Sequence, residues 1–321
     1  MKNFLASILV MASVFINSGC AMSQKKESTE GPRVHNYAPA FIELWNKVES
    51  KSANEQLAAL KEDFFPNFPQ FYEYKIDKWK KAGKNPDEEL KKQLAEFPKI
   101  KTEFIKKTNE ITENLDSTLN SFVAAVPGLD RNFDVYITHS FGDMDGGTRK
   151  IGDKIYFILG IEGMVKYHKG FSSVIPFFHH ELFHIYHGQY LPEEQVMWIA
   201  LWAEGLATYA SKKLNPKATQ KDLMLDLPEG MVKRINSDLA YHWKDLRSKM
   251  TSTKDEDYET YFLMSSKGKR ITSRAGYYLG YLLAKELGKT KTLPELAQMN
   301  PKEILPALEQ KMDEMMAAPN E

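Results

Sequence analysis

Apolar residues recur at three- and four-residue spacing through most of the stretch from Ala38 to Val126. The best-marked element carries Phe97, Ile100, Phe104, Ile111, Leu115, Leu119, Phe122 and Val126 on one face of a long helix. Pro66, Pro69, Pro86 and Pro98 punctuate the shorter helices before it. The pattern then changes period. Val135 and Ile137 alternate with Tyr136 and Thr138, and Ile155 to Ile161 is a near-continuous β-prone run. A loop holding Asp145-Gly146-Gly147 separates them, which predicts a small antiparallel sheet. The most helix-like apolar stretch holds His180 to His184, and Gly188 closes that helix. Leu191-Pro192-Glu193-Glu194 opens another, with Pro in the first turn and acids near its positive end. Two helices joined by so short a loop are expected to pack antiparallel. Glu229 to Lys249, Asp255 to Ser265 and the segment from Arg274 to Ala284 complete a mostly α-helical α+β chain without internal repeats.

The first twenty residues follow a different rule. Lys2 precedes an apolar run from Phe4 to Ile16, too short to span a bilayer and suited to a signal peptide. It ends in Asn17-Ser18-Gly19-Cys20, which resembles a bacterial lipobox, in which the cysteine is lipidated and becomes the mature N-terminus. Asn17 departs from that pattern, which prefers Leu, and the competing reading is an ordinary signal peptide with an accidental cysteine. Either reading places the protein outside the cytoplasm, and the lipobox anchors it to the membrane of a bacterial envelope through Cys20. The expected organisation is a signal peptide at 1–19, a flexible tether at 20–34, an N-terminal helical region at 35–129 and a catalytic domain at 130–321.

Charge and cysteine content remove some possibilities. Lys plus Arg and Asp plus Glu both number 43 in 321 residues, so nothing argues for a nucleic-acid partner. The Lys-rich stretch from Lys75 to Lys107 is interleaved with acids and reads as a solvated helix face. A single cysteine excludes an intrachain disulfide.

The chemistry is concentrated in His180-Glu181-Leu182-Phe183-His184. On a helix, positions four apart share a face, so both imidazoles can point at one ion, while Glu181 lies one step round. Zinc binds imidazole well, and a catalytic site takes three protein ligands and leaves a position for water. Glu204 is the candidate third ligand. Its neighbours Trp198, Ile199, Leu201, Trp202, Ala203, Leu206 and Ala207 are apolar, and a buried carboxylate needs a cation. Gly205 and Ala207 keep its helix slim, so that another backbone can approach. His187 shares a face with both histidines. Seven residues from His180 to His187 span roughly 10 Å along a helix axis, too far for a regular helix to wrap all three round one ion. His187 is expected behind the ligands or against the substrate. His179 points about 100° away from His180 and reads as partly exposed.

H-E-x-x-H followed by Glu204-Gly205-Leu206-Ala207-Thr208-Tyr209 resembles the gluzincin metallopeptidases, and more narrowly a bacterial family of Zn-dependent proteases. The resemblance spans roughly Asp134 to Leu287. It implies a thermolysin-like core, zinc on His180, His184 and Glu204, Glu181 as general base, and a peptide or protein substrate. In gluzincins a sheet edge beside the zinc holds the substrate backbone. Ile155 to Glu162 is the candidate here, with Gly160 and Glu162 against the substrate; Glu162 is weighed between catching a substrate amine and being a plain loop acid. Tyr277 and Gly280 fit the Tyr-x-x-Gly arrangement that supplies an oxyanion-stabilising phenol in the aminopeptidase branch, with Tyr278 and Tyr281 as alternates. Two other readings stay open: a non-catalytic envelope lipoprotein using the zinc-helix scaffold for binding or assembly, and a zinc hydrolase of a non-peptide amide.

Overall fold

The computed structural model describes residues 32–129, 132–152, 154–264 and 270–317. The apolar N-terminal run and Cys20 lie outside them. The first part comprises β1 (Arg33–Asn36), α1 (Ala38–Val48), α2 (Ala53–Ala59), a wider π turn (Leu60–Phe64) and a tighter 3-10 turn (Phe65–Asn67), α3 (Pro69–Lys81) and α4 (Pro86–Ala125). Then come β2 (Asp134–Thr138), β3 (Gly146–Ile151), β4 (Lys154–Gly160) and α5 (Ile161–Tyr167). The rest is helical: α6 (Ile175–His187), α7 (Met197–Leu214), α8 (Met231–Ser237), α9 (Leu239–Arg247), α10 (Asp255–Phe262), α11 (Ala275–Leu287), α12 (Leu293–Ala297) and α13 (Pro301–Ala317). Among the described residues no helix is long and apolar enough to cross a membrane.

Local chemistry explains several boundaries. Ser52 and Glu55 form a reciprocal capping box that starts α2. Pro69 and Pro86 stand at first helical positions, where the missing N–H costs nothing. Pro98 behaves differently from the expected break: α4 continues through it for 40 residues. The apolar stripe on either side of Pro98 keeps both halves packed, which outweighs one lost backbone hydrogen bond.

The sheet is mixed, where an antiparallel one was expected. Its order is β1-β2-β4-β3, with β1 and β4 both parallel to β2 and β3 antiparallel to β4. The stretch taken for a loop contains β3, which reverses the chain once more and returns β4 in the direction of β2. β4 is therefore an interior strand. Tyr156, Phe157, Ile158 and Leu159 are all buried, as a continuous apolar run on an interior strand requires. β1 begins at Arg33, inside the segment expected to be tether.

The described residues form two compact units. One holds 32–115 and 132–169, the sheet included. Its core is aromatic: Phe41 meets Phe97 at 4.8 Å and Phe64 at 5.2 Å in edge-on contacts. Lys75, read as part of a solvated face, is buried in this unit beside Asp143. The other unit holds 116–129 and 170–317, including α6, α7 and α11.

Candidate metal centre

α6 buries Phe177, Phe178, Leu182, Phe183 and Tyr186. That apolar stripe fixes the rotation of the helix and turns His180 and His184 together toward α7. Gly188 ends the helix as expected, in right-handed rather than left-handed conformation. α7 starts at Met197, later than Pro192 implied. Its first free N–H groups, on Met197 and Trp198, donate to the carbonyls of Ser252 and Met250. The start of α7 is thus set by a distant loop and not by a local cap. α6 and α7 run antiparallel: Ser211 Oγ donates to the Pro176 carbonyl at 2.6 Å, Glu204 meets both His180 and His184, and His187 meets Trp202.

Three donor atoms converge. His180 Nε2 lies 3.0 Å from His184 Nε2 and 3.2 Å from Glu204 Oε2, and His184 Nε2 lies 3.4 Å from the same oxygen. The side chains are 14, 7 and 10 % exposed in the order His180, His184, Glu204. They form the one group of three or more potential metal-binding side chains among the described residues. Bonds of 2.0–2.1 Å at tetrahedral angles place the ligand atoms of zinc roughly 3.4 Å apart, so the triangle is the right size for one such ion. Two imidazole nitrogens that close cannot both donate, which also favours lone pairs aimed at a shared cation. Burial alone raises the Glu204 pKa, but the charges and hydrogen bonds of His184 and His180 hold it well below the usual carboxylate range. Burial lowers His180; at His184 burial pulls the same way, but the charge and hydrogen bond of Glu204 together with the Glu181 charge outweigh it and raise the pKa.

A sequence family described as "Predicted Zn-dependent protease (DUF2268)" matches residues 103–306, well over half of the chain. The chain belongs to this family. Neither a curated protein nor a solved structure matches it. The matched segment contains α6, α7 and α11, and with them all three members of the trio. Their His-His-Glu donor set suits the metal in the family's description.

Around the trio of this family member, Glu181 is half-buried and its charge acts on His184 and Tyr277. The Tyr277 ring lies 6.3 Å from the His180 ring. Burial first, then the Glu204 charge, keep its phenol pKa well above the ordinary value, so it remains a donor. The alternates lie elsewhere: Tyr278 stacks with Tyr281 at 6.3 Å, and Tyr281 faces Tyr209. Tyr209 itself donates to the Gly288 carbonyl.

Packing of α11 on α7 brings Tyr277 to the site. A Cβ on Gly205 would overlap the backbone of Gly280, and one on Gly280 would overlap the Leu201 carbonyl. Two glycines thus allow the backbones to touch one residue beyond Glu204. The sequence pointed to this slimness but not to the partner.

Several expectations change. His187 is 1 % exposed, packed on Phe183 and Trp202, with neither ring nitrogen hydrogen-bonded among the described residues. Burial lowers its pKa to about 3, so it is a neutral core residue and not a substrate contact. His179, expected to be partly exposed, is buried. Its two nitrogens pair with Asn215 at 2.9 Å and Ser121 at 3.1 Å. Glu162 does not end a strand but sits in the first turn of α5. Its oxygens accept from the N–H groups of Ser140 and Gly142 and from Ser140 Oγ, which leaves no free face for a substrate amine. Gly160 caps α5 against the Met144 carbonyl and Ser140. β4 cannot accept a substrate strand, because β2 and β3 already occupy its two edges.

Sequence reading missed Arg274. It precedes α11 in left-handed conformation, φ 61°, and its guanidinium carbon lies 4.0 Å above the Tyr277 ring centre. The available signal was the three-residue spacing to Tyr277, which allows one side chain to lie over the other.

Proposed function

We propose that this protein is a zinc peptidase of the gluzincin kind, in which His180, His184 and Glu204 hold the ion. The reading rests on one observation above all: three donors whose side chains are at most 14 % exposed, 3.0–3.4 Å apart, on two antiparallel helices. When bound, zinc polarises the scissile carbonyl and acidifies a water. Glu181, adjacent to the first histidine and facing the same side as Tyr277, takes the proton from the attacking water and returns it to the leaving amine. Tyr277 keeps its proton and donates to the oxygen that gains charge as the carbonyl becomes tetrahedral. The glycine contact between α7 and α11 sets the position of that hydroxyl. The family description supports a protease, and hence a peptide or protein substrate.

We place this chemistry outside the cytoplasm, with the chain anchored by lipid on Cys20; the support is the apolar run that ends in Ser18-Gly19-Cys20. Cys20→Ser is expected to release the protein from the membrane fraction or leave it unprocessed.

Elemental analysis and a peptide-library digest, with and without chelator, test the reading. Wild type is expected to carry one zinc and to cut peptides only in its presence, and Glu204→Ala and His184→Ala are expected to lose the metal. Full zinc occupancy in Glu204→Ala would remove that residue from the ligand set. Zinc without any peptide cleavage would favour a binding scaffold.

A further inference from the structure

We propose that Arg274 binds a carboxylate on the substrate, so that the site selects peptides carrying an acidic group close to the bond being cut. This rests on the peptidase reading and specifies its substrate. Among the described arginines, Arg33, Arg149, Arg234, Arg247 and Arg270 each donate to a protein oxygen. Arg274 is the exception: its Nε is buried without a hydrogen-bond partner, and its guanidinium forms no ion pair among the described residues. A buried donor left unpaired is costly, and a guanidinium in that state is a site in search of an acceptor.

Placement makes the acceptor a substrate group. Arg274 lies over Tyr277 at 4.0 Å, and Tyr277 lies 6.3 Å from the His180 ring, so the guanidinium is within about three extended residues of the metal trio. Its positive charge is felt at both His180 and Tyr277. The backbone at Arg274 is left-handed, a conformation a non-glycine residue keeps only where its surroundings impose it. Here Ala275 N–H donates to the Thr272 carbonyl and Tyr277 N–H to the Arg274 carbonyl, which pins the turn. Stacking on the phenol ring then fixes the plane of the guanidinium.

Charge gives the ligand its sign. Among the described residues, the carboxylates of Glu181 and Glu204 would balance a divalent ion, and Arg274 adds a positive charge that acts on His180 and Tyr277. A carboxylate balances that charge and offers two oxygens to the guanidinium fork. It has two sources, a free C-terminus or an acidic side chain.

An acetylated pentaalanine series separates them: the free acid, its amide, and amides with Asp or Asn at each position in turn. Wild type is expected to favour the free acid over the amide, or Asp over Asn at one position, by about tenfold or more in kcat/KM, mainly through KM. Arg274→Gln is expected to abolish that preference, with a loss on the acidic peptide about tenfold or more greater than on the neutral amide, and Arg274→Lys to keep part of it. Calorimetry on zinc-loaded Glu181→Gln protein, with and without Arg274→Gln, should give the same preference in affinity without turnover. No acid preference in wild type overturns the proposal whether or not the variants fold. Equal losses on acidic and neutral peptides in Arg274→Gln also overturn it. If no peptide is cut but the acid preference persists in calorimetry, the peptidase reading fails and the Arg274 site stands.

Discussion

Asp143, in the unit that holds the sheet, and Glu204, in the unit that holds α6, α7 and α11, are both carboxylates taken largely out of water, and each needs compensation to stay ionised. Asp143 has it from the protein. Lys78 Nζ lies 2.7 Å and Lys75 Nζ 3.3 Å from one oxygen, and Arg149 Nε lies 3.1 Å from the other. Burial pushes the Asp143 pKa up, but those three cations hold it well below the ordinary range. Glu204 has only two imidazoles, which are not permanent cations and which aim their nitrogens at the same point as its own oxygen. The first cluster is closed, with both oxygens of the carboxylate facing fixed charges. The second is open to a cation from outside. The composition of the partners, more than burial, separates these two carboxylates.

The largest expected effect tests the open cluster. Glu181→Gln keeps the shape and the trio but cannot accept a proton, so kcat should fall about 100- to 10,000-fold while zinc content stays full. Equal cleavage by wild type and variant would mean that the activity belongs to a contaminant. The closed cluster should respond in stability alone. Asp143→Asn leaves buried Lys75 and Arg149 and half-buried Lys78 without their carboxylate, and should cost about 3–5 kcal/mol in chemical denaturation with zinc content unchanged. Loss of zinc in Asp143→Asn would end the distinction between the two sites.

Tyr277→Phe removes one oxygen and leaves the ring under Arg274. It should lower kcat about a hundredfold with little change in KM, while Tyr278→Phe and Tyr281→Phe stay near wild type. Gly205→Ala should destabilise the protein by about 1–3 kcal/mol, because its methyl meets the backbone of α11; the measurement is a denaturation midpoint. The smallest effect concerns pH. The folded pKa of Asp143 lies below its unfolded value of 3.8, so its contribution is full above that value and is lost as pH falls through the folded pKa. The stability gap between wild type and Asp143→Asn should therefore be widest near neutrality and narrow below about pH 4.

The convergence of His180, His184 and Glu204 was legible because its determinants are local. A helical repeat of 3.6 residues puts His180 and His184 on one face whatever else the chain does, and the apolar neighbours of Glu204 announce its burial. The sheet was half legible. Alternation at 134–138 and the run at 155–161 marked two strands, but strand direction depends on what lies between them, and β3 was hidden in a glycine-rich segment. Glu162 was misjudged because the donors that satisfy it, on Ser140 and Gly142, are twenty residues away and carry no sequence signature. His179 and His187 were misjudged for a related reason: the elements that bury them lie far along the chain.

Residue order alone therefore committed this chain to its helices, to a His-Glu-His face and to a carboxylate destined for an apolar setting, since each follows from the period of a helix and the cost of burying charge. Tertiary packing decided which tyrosine joins that face, through the Gly205–Gly280 contact, and decided that Asp143 would be surrounded by cations while Arg274 would have no carboxylate partner among the described residues. Those outcomes depend on which helices cross and at which turn, and crossing points are set by side-chain volumes on two elements at once, which no periodicity along one of them encodes.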